Sequence, residues 1–359
     1  MHLRRLWLTD FRGYHDADVG FDAGLTVVVG PNGQGKTNLL EAIGYLATLS
    51  SFRGAPTDAL IRAGAERAIV RAEGEREGRQ LLLEAELSAN GRNRAQLNRQ
   101  PLRRARDLLG ALRVTVFSPD DLSLVKGSPG DRRGYLDETL VALHPRHDQT
   151  RTDLDRILRQ RGALLKGAGG RLNAEVELTL DVFDAKLVTA GEALARARQD
   201  LVAELEPLMG DAYDRVARRA AAVRPVYDPP WMAEGLAAAL LASRRDDLRR
   251  GVSTVGPHRD ELELGLGGMP ARTYASQGEQ RSLALALRLA SHEVVTRRTE
   301  TPPVLLLDDV FSELDPERSA ALLDSLPGGQ TVLTTATGLP EGAVPGKVLR
   351  VADGAVSEA

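Results

Sequence analysis

Residues 30–37 read Gly30-Pro31-Asn32-Gly33-Gln34-Gly35-Lys36-Thr37, which fits the pattern G-x-x-x-x-G-K-[ST] of a phosphate-binding loop. Such a loop needs a strand before it and a helix after it. Its backbone N–H groups must point inward at the positive end of a helix. The apolar run Leu25–Val29 supplies the strand, and Asn38-Leu39-Leu40-Glu41-Ala42-Ile43 opens the helix. In this context Gly30, Pro31, Asn32, Gly33, Gln34 and Gly35 form the cradle. Lys36 is expected to reach the β- and γ-phosphates of ATP, and the Thr37 hydroxyl to sit on Mg²⁺.

A phosphate loop needs a carboxylate to complete its metal shell. Val304-Leu305-Leu306-Leu307-Asp308-Asp309 ends a continuous apolar run in an acidic pair that packing does not require. Asp308 is assigned to Mg²⁺ and Asp309 to the attacking water. A continuous apolar strand such as Val304–Leu307 belongs to a sheet covered on both faces, which is usually parallel, and a second short strand is expected at Thr331–Thr334.

The chain has 359 residues, enough for about two domains. Its 42% hydrophobic content fills a core and excludes wholesale disorder. Strand signals dominate residues 1–125 (Leu3–Leu8, Leu81–Leu87, Arg113–Phe117), and the mixed pattern resumes at 252. Between them, residues 126–251 show helical spacing, cut by breakers at His144-Pro145, Gly167–Gly170, Pro207 and Arg224–Pro230. The expected architecture is an α/β head, 1–125 with 252–359, carrying an inserted compact helical lobe. The breaks argue against a long coiled coil.

The absence of Cys excludes disulfides, thiol nucleophiles and Cys-based zinc sites, and fits a reducing, cytoplasmic setting. No membrane span is expected. His144 and His147 share a turn without a third ligand, so zinc is not expected there. The net charge of −3 leaves nucleic-acid binding to a local patch. Residues 91–113 offer one, with seven Arg against the single acid Asp107. Arg92, Arg94, Arg99, Arg103, Arg104 and Arg106 could face DNA phosphates or be a solvated face. The run holds no aromatic residue, which favours duplex backbone over single-strand stacking.

Ser276-Gln277-Gly278-Glu279-Gln280 precedes an amphipathic helix. A capping box of Ser276 and Glu279 accounts for it, and so does an anion site at the helix start. Spacing alone leaves the two even. The segment, however, resembles the LSGGQ signature of ABC-type ATPases, and Ser312-Glu313-Leu314-Asp315 resembles their D-loop. With the phosphate loop and the acidic strand, these elements stand in that family's order. The resemblance implies two heads facing head to tail. Ser276 and Gly278 of one head would close over ATP on the other, Ser276 would act catalytically there, and Asp315 would lie close by.

The opening Leu6 to Tyr14, the segment Asn38–Ile43 and Gly256-Pro257-His258-Arg259-Asp260 resemble the SMC-like branch of these ATPases, and within it the RecF family of bacterial recombination mediators. What the resemblance implies is a weak, DNA-dependent ATPase switch. Such a switch dimerises on ATP, binds duplex, gapped or junction DNA, and acts with RecR and RecO to place RecA. It also brings Arg12 toward the nucleotide, although a solvated loop arginine fits that position as well. His258 and Arg259 are open to phosphate contact or a local salt bridge.

Three departures stand out against the ABC pattern. Asp309 replaces the usual Glu, which predicts feeble turnover. No Gln lies near Phe117-Ser118-Pro119-Asp120-Asp121, and no His follows Thr334, whose role Thr335 or Thr337 would take. Two other classes compete: a transporter ATPase subunit and a structural DNA tether. The first is disfavoured because Ser276 lies 239 residues beyond Thr37, the second because the insertion is short.

Overall fold

The computed structural model describes residues 1–336 and 338–359. The chain packs as two compact units. The first contains Met1–Leu122, Leu208–Ala221 and Gln277–Ala359.

In that unit an antiparallel sheet runs β2 (Tyr14–Gly20), β1 (His2–Phe11), β4 (Arg67–Arg76), β5 (Arg79–Ser88), β6 (Arg94–Leu97), β7 (Gln100–Pro101). A second sheet runs β15 (Ala355–Glu358), β14 (Lys347–Ala352), β3 (Leu25–Val29), β13 (Thr331–Thr335), β12 (Val304–Asp308), β8 (Val114–Phe117). From β14 to β8 its strands are parallel, and every residue of β12 and β13 is buried. This matches the continuous apolar patterning. Strand β2 and the pair β14–β15 were not marked by such runs.

Helix α1 (Lys36–Thr48) touches strands of both sheets. It is buried nearly all round, from Leu39 to Ala47, as a helix enclosed by two layers must be. Leu6, Phe11, Leu40, Ile43, Val70, Leu306 and Val332 share one core around it. Gln330 links the layers: its carboxamide accepts from the Leu3 N–H at 2.7 Å and donates to the Leu3 carbonyl at 2.6 Å. Short helix α2 (Thr57–Leu60), long helix α9 (Gln277–Thr299) and α10 (Pro316–Asp324) complete this unit.

The second unit, Ser123–Pro207 with Ala222–Ser276, is mainly helical. It holds α3 (Ser123–Lys126), α4 (Pro129–Leu143), α5 (Arg146–Gly167), most of α6 (Ala174–Ala217), α7 (Leu236–Arg250) and α8 (Ala271–Tyr274). Breaks fall at His144-Pro145 and after Gly167, as the sequence suggested. At Pro207 the helix does not break. Leu205, Met209, Ala212, Tyr213 and Val216 recur at helical spacing and are all buried. That packing outweighs one missing N–H.

The boundary near 252 also shifts. Strand β10 (Glu263–Leu266) pairs with β9 (Val223–Val226) and with β11 (Met269–Pro270). Residues 252–276 therefore pack with the helical unit, while 208–221 pack with the first. This unit carries buried charge. Arg161, with no exposed surface, donates to Asp184 and Asp247 at 2.7 Å each. Arg198 holds Asp137 through two bonds of 2.8 Å. Among the described residues no helix is long and apolar enough to cross a membrane.

Candidate nucleotide site

The phosphate loop joins β3 to α1, and its glycines are placed by sterics. A side chain at Gly30 would put its Cβ 2.3 Å from the Val351 carbonyl oxygen of β14. Gly35 has φ +109°, closed to most L-residues, with the Tyr14 hydroxyl directly behind it. That hydroxyl donates to the Gly35 carbonyl at 3.0 Å. On the other side the Gln34 side chain accepts from the Asp353 N–H at 2.7 Å. The loop is thus braced by β2 and by the β14–β15 turn.

Lys36 is buried, and its ammonium donates to the carbonyls of Gly30 at 2.8 Å and Pro31 at 3.0 Å. Burial draws its pKa down, opposed by the charges of Asp309 and Asp308. The lysine so curls over its own loop, where a triphosphate would compete for it.

Thr37 and Asp308 meet as the sequence required: the Thr37 hydroxyl donates to Asp308 Oδ1 at 2.9 Å. Asp308 is buried at the end of β12, and burial raises its pKa, with the hydroxyl bonds from Thr334 and Thr37 pulling the other way. Asp309 follows with φ +50°, an uncommon conformation for a non-glycine residue. Its Oδ1 is buried without a hydrogen-bond partner among the described residues.

The donor set suits Mg²⁺. A hydroxyl and a carboxylate in contact are hard oxygen ligands, and phosphate oxygens and water ordinarily supply the rest. Among the described residues no cluster of three or more His, Cys, Asp or Glu side chains could hold a metal by itself, at the His144–His147 turn or elsewhere.

A second group of residues lies around the start of α9. Ser276 is exposed and stands immediately before the helix. A Cβ on Gly278 would lie 2.7 Å from the Arg318 guanidinium. Asp315 caps α10 by accepting from the Arg318 N–H at 2.8 Å and pairs with its guanidinium at 2.8 Å. Signature turn and D-loop therefore meet through Arg318, a residue the sequence did not single out.

The remaining placements refine the sequence picture. Arg12 is engaged by Glu41, at 2.7 and 2.8 Å, and by the Ala59 carbonyl at 2.8 Å. Where a Q-loop Gln was missed, Asp121 accepts from Arg288 of α9 at 2.6 Å. His258 and Arg259 both reach the Ser253 carbonyl at 3.1 Å. Of the two threonines offered for the switch His, Thr335 donates to the Gly338 carbonyl at 3.0 Å, and Thr337 lies outside the described residues. The hydroxyl that meets the Asp308 carboxylate and the Asp309 N–H belongs to Thr334.

Residues 2–333 match the family model of the RecF/RecN/SMC N-terminal domain. A protein of Streptomyces avermitilis named DNA replication and repair protein RecF is 47% identical over 352 residues, covering 94% of this chain and 93% of its own length. The chain belongs to the RecF family. A RecF of Arthrobacter sp. is 43% identical and spans 100% of this chain and 99% of its own. The solved structure of the recombination mediator RecF with ATP in the RecFOR pathway superposes with a TM-score of 0.91 at 28% identity, covering 100% of this chain and 97% of that one. The Smc head domain of Pyrococcus furiosus, at 17% identity and TM-score 0.60 over 99% of this chain and 95% of that one, shares the fold. RecF and SMC heads thus place the chain among the ABC-type ATPases.

Proposed function

We propose that this protein is an ATP-gated DNA-binding switch of recombinational repair, a weak ATPase whose work is done by dimerising and releasing. The observation that carries the reading is the contact between Thr37 and Asp308, residues 271 positions apart whose oxygens lie 2.9 Å from each other beside Lys36. Beside a phosphate loop, such a hydroxyl–carboxylate pair is the ligand set that a Mg²⁺–nucleotide complex uses.

Lys36 would leave the Gly30 and Pro31 carbonyls for the β- and γ-phosphates. Thr37 and Asp308 would hold Mg²⁺, which when bound neutralises developing phosphate charge. Asp309 would orient the attacking water. Its side chain is one methylene shorter than the usual Glu, so turnover is slow. Ser276 and Gly278 of a second copy would complete the pocket, with Asp315 and Arg318 supporting that turn.

DNA would bind through local charge. Arg92, Arg94, Arg103 and Arg104 line one cleft beside Asn93 and Thr57. Arg99 instead lines a separate hollow with Trp7 and Arg71. The relatives named for DNA replication and repair, and the RecFOR pathway of the solved homologue, support action on duplex, gapped or junction DNA with RecR and RecO, leading to RecA placement in the cytoplasm.

Small-angle scattering tests the switch. A non-hydrolysable ATP analogue with Mg²⁺ is expected to double the particle mass of the wild type. Ser276→Arg should bind the analogue yet stay monomeric, because a cation fills the trans phosphate position. An unchanged wild-type mass, or a dimerising Ser276→Arg, would overturn the reading.

A further inference from the structure

We infer that Thr334 is the positioning residue that holds the acidic pair of the nucleotide site, through the side chain of Asp308 and the backbone of Asp309. Thr334 is fully buried in β13, next to β12. Its hydroxyl donates to Asp308 Oδ1 at 2.8 Å. The same oxygen accepts from the Asp309 N–H at 3.0 Å. One hydroxyl therefore fixes the side chain of the first aspartate and the backbone of the second.

Both restraints have a reason. Asp308 Oδ1 also accepts from Thr37 at 2.9 Å. A threonine that turns its oxygen toward a cation withdraws its hydrogen from that carboxylate, and Thr334 is then the donor that keeps Asp308 aimed. Asp309 adopts φ +50°, a backbone state that needs outside support. Its N–H, half-buried, is taken up by the Thr334 hydroxyl. Thr334 lies in a strand buried at every position, where a hydroxyl is costly unless it is hydrogen-bonded.

This rests on the nucleotide site proposed above, and its test does not use the dimer. Binding of a fluorescent ATP analogue is titrated with Mg²⁺ in wild type, Thr334→Val and Thr334→Ser, each checked for a cooperative melting transition. Metal-free analogue affinity is expected to be the same in all three. The Mg²⁺ midpoint should rise about tenfold or more in Thr334→Val, as when a residue orienting a metal ligand is lost. Thr334→Ser, which keeps the hydroxyl, should stay within about threefold of wild type. In turnover, kcat should fall for the valine variant with KM little changed. A valine variant with the wild-type Mg²⁺ midpoint would overturn the inference, and so would a serine variant as impaired as valine. A wild type that never dimerises would overturn the switch but leave this result standing.

Discussion

Glu41 is a carboxylate with no exposed surface, carried on the helix that follows the phosphate loop, and Arg12 meets it with two nitrogens. The Ser51 hydroxyl donates to the same carboxylate. Three of the guanidinium's five N–H groups are used here once the Ala59 carbonyl is counted. Removing one partner of a buried pair strands the other without solvent. Arg12→Ala is therefore expected to lose about 3 kcal/mol of folding stability, by analogy with broken buried pairs. Chemical denaturation without nucleotide would show it. An Ala variant as stable as wild type would free Arg12 for the nucleotide contact that the family resemblance suggests.

The buried helix α9 carries His292, whose Nδ1 lies 3.1 Å from the Thr115 hydroxyl on β8 and whose Nε2 is buried without a hydrogen-bond partner among the described residues. Burial draws its pKa down to about 4 from the usual 6.5. The folded state thus favours the neutral ring. Its stability is whole above the unfolded pKa and declines as pH falls from about 6.5 toward 4. The loss reaches on the order of 3 kcal/mol at the lower end. His292→Gln should flatten that limb in melting temperatures taken across the pH range. An unchanged pH profile would place the acid sensitivity elsewhere, with His258, also lowered to about 4, as the next residue to test.

Legibility at this scale followed patterning. Strands β3 and β12 were readable as apolar runs because both their faces are covered, and β8 and β13 as short runs rich in β-branched residues. Strand β2 (Tyr14–Gly20) was not, because three of its seven residues are charged or His and it sits at a sheet edge. The phosphate loop and its carboxylates were legible from spacing, since backbone chemistry dictates it. Thr334 and Asp121 were not, because each acts through a partner far along the chain.

For the whole molecule, an acidic sum of charges coexists with a local basic surface. Arg92, Arg94 and Arg103 are exposed and line the same cleft. If that cleft holds duplex backbone, replacing these three by Ala should weaken binding uniformly across sequences. It should also lower the slope of log affinity against log salt by about one unit per arginine. Equal slopes for variant and wild type would move the DNA surface elsewhere. Residues 123–207 and 222–276 form a unit of their own, stabilised by buried pairs such as Arg161–Asp247. Such pairs are dependable only when complete, so substitutions there should act on folding before they act on nucleotide.

The close approach of Gly30 to Val351 bears on how the protein is made. On the ribosome the glycine-rich turn emerges well before the strands beside it, the aspartate opposite Thr37 and the hairpin that grips Gln34, all of which lie beyond residue 303. A nascent chain accordingly remains unable to grip a triphosphate until residues 304–353 have been made. The ligand cannot act as a template for folding what is synthesised before them.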